Sequence, residues 1–266
     1  MLGKLIKYDF KASAKIFILF HAAFILACLL CRILFVDHLR FDAPIDPLVT
    51  SIAVFSSLMT FLCIAVNFAT WLQITFRFYR NLFSREGYLS WTLPVSGVQQ
   101  LWGKIISGYI FMAVDIIVIA GGILLLVTAK NITTAYSSIA PEMTEALGMP
   151  LSTLAFYLFL FCLVSGISAV IMSYFCIAVG QLFPGHRVLC AVAAYFITSF
   201  VVQIFSLIVM AVSGIFPGYN FLPDTGTTIS DYLFNIFALS GVLSFIVTVI
   251  QYIVTHYIMK KKINLI

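Results

Sequence analysis

An all-α polytopic membrane protein is the fold class predicted by this sequence, and three observations carry the prediction. Hydrophobic residues fill 62% of the 266 positions and charged residues only 9%, with a mean hydropathy of +1.11, whereas soluble chains average about 25% charged residues. Six apolar runs, 16–35, 49–74, 105–129, 154–182, 188–215 and 232–259, each reach the ~20 residues a spanning helix needs. The basic residues gather at the ends of those runs, which is the distribution of a topology signal. No polar stretch is long enough for a second domain of usual size, roughly 100 residues or more, so 1–266 reads as one membrane domain. The topology signal accounts for the net charge of +5, and nucleic-acid binding is not expected.

The first element is an N-terminal interfacial helix over 1–15. Lys4, Lys7, Lys11 and Lys15 recur at spacings of three and four, with Leu2, Ile6, Phe10 and Phe17 on the opposite side. Such a helix lies along the membrane, its lysines on anionic headgroups, before the chain turns into the first span. Within that span Ile25-Leu26-Ala27-Cys28 loosely matches a lipoprotein processing site. The apolar run continues past Cys28 and further spans follow, so a retained helix is expected. All six cysteines (Cys28, Cys31, Cys63, Cys162, Cys176, Cys190) lie in or beside apolar runs, where cysteine acts as a small hydrophobe. Cys28 and Cys31 have a Cys-x-x-Cys spacing but lack the two further ligands that zinc requires, and no metal is expected.

Six spans put both termini on one side. That side carries Lys4, Lys7, Lys11, Lys15, Arg77, Arg80, Arg85, Lys104, Arg187, Lys260, Lys261 and Lys262, against only Arg32, Arg40 and Lys130 on the other. The asymmetry predicts cytoplasmic termini, and it leaves Asp37, Asp42, Asp46, Glu142, Glu145, Asp224 and Asp231 outside. The fourth run is longer than a straight crossing and contains Gly166 and Gly180, so it is expected to tilt, kink or protrude. Phe183-Pro184-Gly185-His186-Arg187 is a tight turn that makes the fourth and fifth helices antiparallel neighbours. The external segment 216–231 is apolar, and Pro217 and Pro223 forbid a continuous helix there. It either dips back into the membrane over a cavity or rests as an interfacial loop. Asn131-Ile132-Thr133 matches a glycosylation sequon close to a span end.

The polar-marked stretch between the second and third spans, 77–104, organises the remainder. Three arginines and Glu86 flank the aromatic Tyr88-Leu89-Ser90-Trp91, so the segment can press an apolar patch against a partner while its charges stay wet. Pro94 ends any helix over 82–92. Ser96-Gly97-Val98-Gln99 then fits the capping box that starts the next helix.

Intramembrane catalysis needs convergent polar groups, and none is legible. Ser165-Gly166-Ile167-Ser168 is a small-residue patch suited to helix packing, and His21 and His256 fall near cytoplasmic helix ends. No phosphate-cradling loop of Gly, Lys and Ser or Thr occurs, so neither a catalytic residue nor a nucleotide site is expected. Asp115 is the one acid within a span, ~15 Å into the third helix. Two readings stay open: it lines a translocation path or subunit seam, or it hydrogen-bonds to neighbours such as Asn67 or Thr70.

The start Met1-Leu2-Gly3-Lys4-Leu5-Ile6-Lys7-Tyr8-Asp9-Phe10-Lys11, and above all 77–83 running into Glu86-Gly87-Tyr88-Leu89-Ser90-Trp91-Thr92-Leu93-Pro94-Val95, resemble the ABC type-2 permeases of Gram-positive bacteria. The resemblance implies a multi-pass permease of the bacterial cell membrane whose first cytoplasmic loop is a coupling helix seated in a separate ATPase. It implies that Arg85, Glu86, Gly87, Tyr88 and Leu89 contact the ATPase and that Pro94 sets the angle to the third span. Arg85 and Glu86 are expected to pair at the rim, with Gly87 permitting a backbone turn. Two ATPase copies, binding ATP and Mg, and a second permease chain, identical or paralogous, complete the implied exporter of amphipathic compounds or peptides. A membrane scaffold or sensor subunit held through the same loop is the alternative.

Overall fold

The computed structural model of the chain describes residues 2–39, 41, 45–84, 86–214 and 229–261. They form eight α-helices: α1 (Leu2–Leu34), α2 (Ile45–Phe83), α3 (Gly87–Trp91), α4 (Gly97–Val127), α5 (Lys130–Leu147), α6 (Leu151–Gly180), α7 (Arg187–Val212) and α8 (Ile229–Lys261). A 3-10 turn, Val36–His38, follows α1. Six of the helices, α1, α2, α4, α6, α7 and α8, are long and apolar enough to cross a membrane. The protein is an all-α, multi-pass membrane protein, as composition and run lengths predict.

The helices outrun their apolar segments. The 39 residues of α2 extend about 58 Å at ~1.5 Å per residue, nearly twice the ~30 Å hydrocarbon thickness, and so carry Arg77 and Arg80 clear of the apolar run. The expected interfacial helix 1–15 is not a separate element, because α1 is continuous from Leu2 to Leu34. No Gly or Pro lies between Phe10 and Phe20 to break it. Its lysines are exposed as expected, but part of the opposite face packs on α4 instead of lipid: Phe10 stacks on Phe111 at 4.5 Å, and Leu2 and Leu5 lie against Gly103. Residues 130–147, read from sequence only as a loop bearing a sequon, form the helix α5, which closes at Gly148 with φ 76°. The apolar segment 216–226 falls outside the described residues.

α4 is the central helix, packed by α1, α2 and α6, and α6 in turn carries α7 and α8. The turn after α6 makes α6 and α7 antiparallel neighbours as predicted, and their approach is close at Gly180, where a Cβ would lie 2.6 Å from the Arg187 carbonyl oxygen. The Ser165–Ser168 patch packs helices in two directions. Gly166 faces Met112 and Tyr109 of α4, while Ser168 accepts hydrogen bonds from Ser244 and Thr248 of α8 at 3.0 and 2.9 Å.

Apolar packing divides into two clusters. One holds Phe17, Ile74, Phe78, Leu101, Met112 and Tyr174, and the other Phe24, Cys28, Met59, Val66 and Leu126. On each of α1, α2 and α4 the boundary between the clusters is polar: His21 lies between Phe17 and Phe24, Thr70 between Val66 and Ile74, and Asp115 between Met112 and Leu126.

Candidate functional site

Three groups of polar residues run from this boundary to the end of the bundle that bears α3. The innermost centres on Asp115, which is 0% exposed. Its Oδ1 meets His21 Nε2 at 2.9 Å and accepts from Thr70 Oγ1 at 3.0 Å, while Oδ2 accepts from Asn67 Nδ2 at 2.9 Å. His21 Nδ1 lies 2.7 Å from the Phe17 carbonyl oxygen, so each ring nitrogen has a partner and the ring is fixed. Burying a carboxylate is costly unless it is hydrogen-bonded, and α1 and α2 supply three partners here. Asn67 and Thr70 are the neighbours the sequence suggests; His21 is the one it misplaces. Treating 1–15 as lying flat put His21 near a helix end, whereas in the continuous α1 it lies roughly 29 Å from Leu2.

Roughly two to three turns further along, a second carboxylate ties the same three helices. Asp9 Oδ1 accepts from Arg77 Nε at 2.8 Å and Lys104 Nζ at 2.7 Å, and Oδ2 accepts from Ser107 Oγ at 2.6 Å. Asp9 is 8% exposed, so these charge-assisted bonds form in a poorly screened setting. Asp9 was not singled out from sequence; it begins the spaced series Asp9, Ser13, Phe17, His21 that α1 turns inward, and that spacing was the available signal. Between the two carboxylates lies a cavity of about 10 Å³ bordered by Ser13, Thr70, Gln73 and Arg77.

The third group is the elbow between α2 and α4. The helix expected over 82–92 is divided: α2 ends at Phe83, and Gly87–Trp91 forms α3. Two side-chain hydrogen bonds hold the C-terminal end of this short helix. Trp91 Nε1 donates to the Leu82 carbonyl at 3.0 Å, and Gln100 Nε2 donates to the Ser90 carbonyl at 2.7 Å. After the turn at Pro94, Ser96 Oγ caps α4 by accepting from the Gln99 N–H at 3.3 Å, the capping predicted from Ser-x-x-Gln. Glu86 pairs with Arg80, whose Nε and Nη2 lie 2.8 and 2.6 Å from Glu86 Oε1, because α2 continues far enough to present Arg80 to it; Arg85 lies outside the described residues. Gly87 is buried without a positive φ, since only Gly148 and Gly214 have one among the described residues, and its N–H donates to the Ser84 carbonyl at 2.8 Å. The hydrogen bond from Arg80 holds the Glu86 carboxyl below the usual carboxylate range.

Tyr88 and Leu89, in contrast, are 67% and 71% exposed. A tied-down helix thus presents two adjacent apolar side chains outward. Among the described residues no three His, Cys, Asp or Glu side chains gather as a metal site. No family model, curated protein or solved structure matches the chain, so its function is argued from these residues and their geometry.

Proposed function

We propose that the chain is the permease subunit of an ATP-driven ABC exporter, moving an amphipathic compound or peptide across a bacterial cell membrane with energy from a separate ATPase. The observation that carries the reading is the elbow, in which exposed Tyr88 and Leu89 stand on a helix fixed to both α2 and α4. Large side chains on a pre-organised element seat in a partner's groove with little ordering cost. A push on α3 would pass through the Trp91–Leu82 bond into α2 and through the Gln100–Ser90 bond into α4. From there the Asp9 and Asp115 groups hand it to α1, so the three helices shift together as a lever.

In this reading the elbow and both termini are cytoplasmic, two ATPase copies bind ATP and Mg, and a second permease, identical or paralogous, completes the transport path. This chain's residues bind neither nucleotide nor metal; they receive and transmit motion. The test is coupled ATP hydrolysis in a complex reconstituted with an ABC ATPase that co-purifies with the tagged chain. Tyr88→Ala and Glu86→Lys should abolish substrate-stimulated hydrolysis while the chain still inserts, and unchanged coupling in both would remove the docking role. A tagged chain that brings down a sensor kinase instead would favour the scaffold reading.

A further inference from the structure

Beside the Asp9 group, between α1, the end of α2 and the elbow, lies a second cavity of about 170 Å³, well beyond the ~10–15 Å³ that a single water needs. Its polar lining includes Arg77, Lys104, Asn81 and Gln100, and its apolar wall includes Leu5 and Leu93.

The charges in its wall do not cancel. Arg77 and Lys104 share the single carboxylate of Asp9, leaving one net positive charge, and both side chains are largely buried at 23% and 16% exposure. Arg77 spends only its Nε–H on Asp9, so the rest of its guanidinium fork remains for an anionic oxygen. Gln100 adds an independent sign of a ligand. It is 5% exposed, its Nε2 is committed to Ser90, and its Oε1 has no hydrogen-bond partner. A buried acceptor left unpaired is destabilising, a cost removed when an O–H or N–H enters beside it.

We propose that this cavity binds a phosphoryl group carrying a hydroxyl-bearing alcohol, with the phosphoryl oxygens on Arg77 and Lys104, a hydroxyl donating to Gln100 Oε1, and the apolar part against Leu5 and Leu93. The chemistry is that of a glycerol phosphodiester lipid headgroup or of a free phosphate ester. The cavity opens at the end of the bundle where Lys4, Lys7 and Lys11 are exposed, and basic pockets between spans at the membrane surface suit anionic headgroups. Because Ser90, Leu93 and Gln100 belong to the elbow or its root, the bound group would brace α3 against α1. None of this rests on the permease reading.

Native mass spectrometry of the full chain released from phosphatidylcholine micelles tests it, with phosphatidylglycerol titrated in one arm and glycerol 1-phosphate in the other. The wild-type chain should retain one phosphatidylglycerol. Arg77→Gln should weaken that retention about tenfold or more. Leu93→Trp, at a half-exposed turn position outside the ion group, should fill the cavity and weaken retention as much while leaving the melting temperature unchanged. Should Arg77→Gln unfold the protein, Leu93→Trp decides alone. Retention of glycerol 1-phosphate, lost in Leu93→Trp, without retention of the lipid supports the site and identifies the free ester as its ligand. Absence of binding in both arms, or lipid retention unaltered by Leu93→Trp, overturns the proposal.

Discussion

Asp115 on α4 and His21 on α1, 94 positions apart in sequence, meet at 2.9 Å in the interior of the bundle. With Thr70 and Asn67 donating from α2, one carboxylate fixes the mutual register of three helices. Apolar packing between membrane helices is weakly directional, because lipid competes on equal terms. A buried polar contact with three partners therefore specifies rotation and depth more sharply than the aliphatic surface around it.

Removing that carboxylate has a predictable cost. Asp115→Ala strands His21, Thr70 and Asn67 without their acceptor and should destabilise the protein by about 3–5 kcal/mol. Asp115→Asn keeps the shape and part of the bonding and should cost about 1–3 kcal/mol. Thermal unfolding in detergent measures both. Equal melting temperatures for wild type and Asp115→Ala would show that the group does not hold the helices together.

The fold was legible because length and hydropathy suffice for spanning helices, and Pro94, Ser96 and Pro184-Gly185 mark the breaks chemically. The site was only half legible. Asp115 stands out as a lone acid in an apolar run, and Asn67 and Thr70 suggest themselves as partners. Asp9 does not, because among four lysines it looks like an ordinary interfacial residue. Only the continuity of α1, which follows from the absence of Gly or Pro between Phe10 and Phe20, turns it inward beside Arg77 and Lys104. Long-range pairing of this kind depends on which helices pack together, and hydropathy carries no information about that. Helix α5 was overlooked because a short amphipathic segment beyond a span is neither apolar enough to count as a span nor rich enough in Gly and Pro to read as a turn.

Close helix approach supplies a second test. At Gly180 a methyl group would meet the Arg187 carbonyl oxygen at 2.6 Å and the Ala191 N at 2.9 Å, backbone atoms that cannot rotate away. Gly180→Ala should therefore cost about 1–3 kcal/mol by forcing α6 from α7. Gly121 on α4 has nothing within 4 Å of the same position, and Gly121→Ala should stabilise by about 0.5–1 kcal/mol through helix propensity. Opposite shifts in melting temperature are expected; a stabilising Gly180→Ala would refute the contact.

The elbow carries a pH dependence. The Arg80 hydrogen bond lowers the Glu86 carboxyl, so the pair's contribution is complete above the ordinary carboxylate value and disappears as pH falls through the depressed one. The pair is exposed, and the effect is a local loosening of the elbow, not unfolding. Carboxyl NMR should give Glu86 a midpoint below the usual range that returns to it in Arg80→Gln. A midpoint indifferent to Arg80→Gln would contradict the pairing.

Rigidity and exposure at the elbow can be separated. Trp91→Phe keeps an aromatic ring, though a smaller one, and removes the N–H that the Leu82 carbonyl accepts, so it should cost at least about 1 kcal/mol and speed amide exchange across 87–91. Tyr88→Ala removes a side chain that is 67% exposed and should leave stability within about 0.5 kcal/mol. In the reconstituted complex the two variants should fail differently. Tyr88→Ala should weaken ATPase binding, because an anchor is missing, while Trp91→Phe should bind normally yet transmit less, because the lever bends between α3 and α2. If Trp91→Phe leaves both amide exchange and stimulated hydrolysis at wild-type levels, the Trp91–Leu82 bond is not the joint through which α3 moves α2.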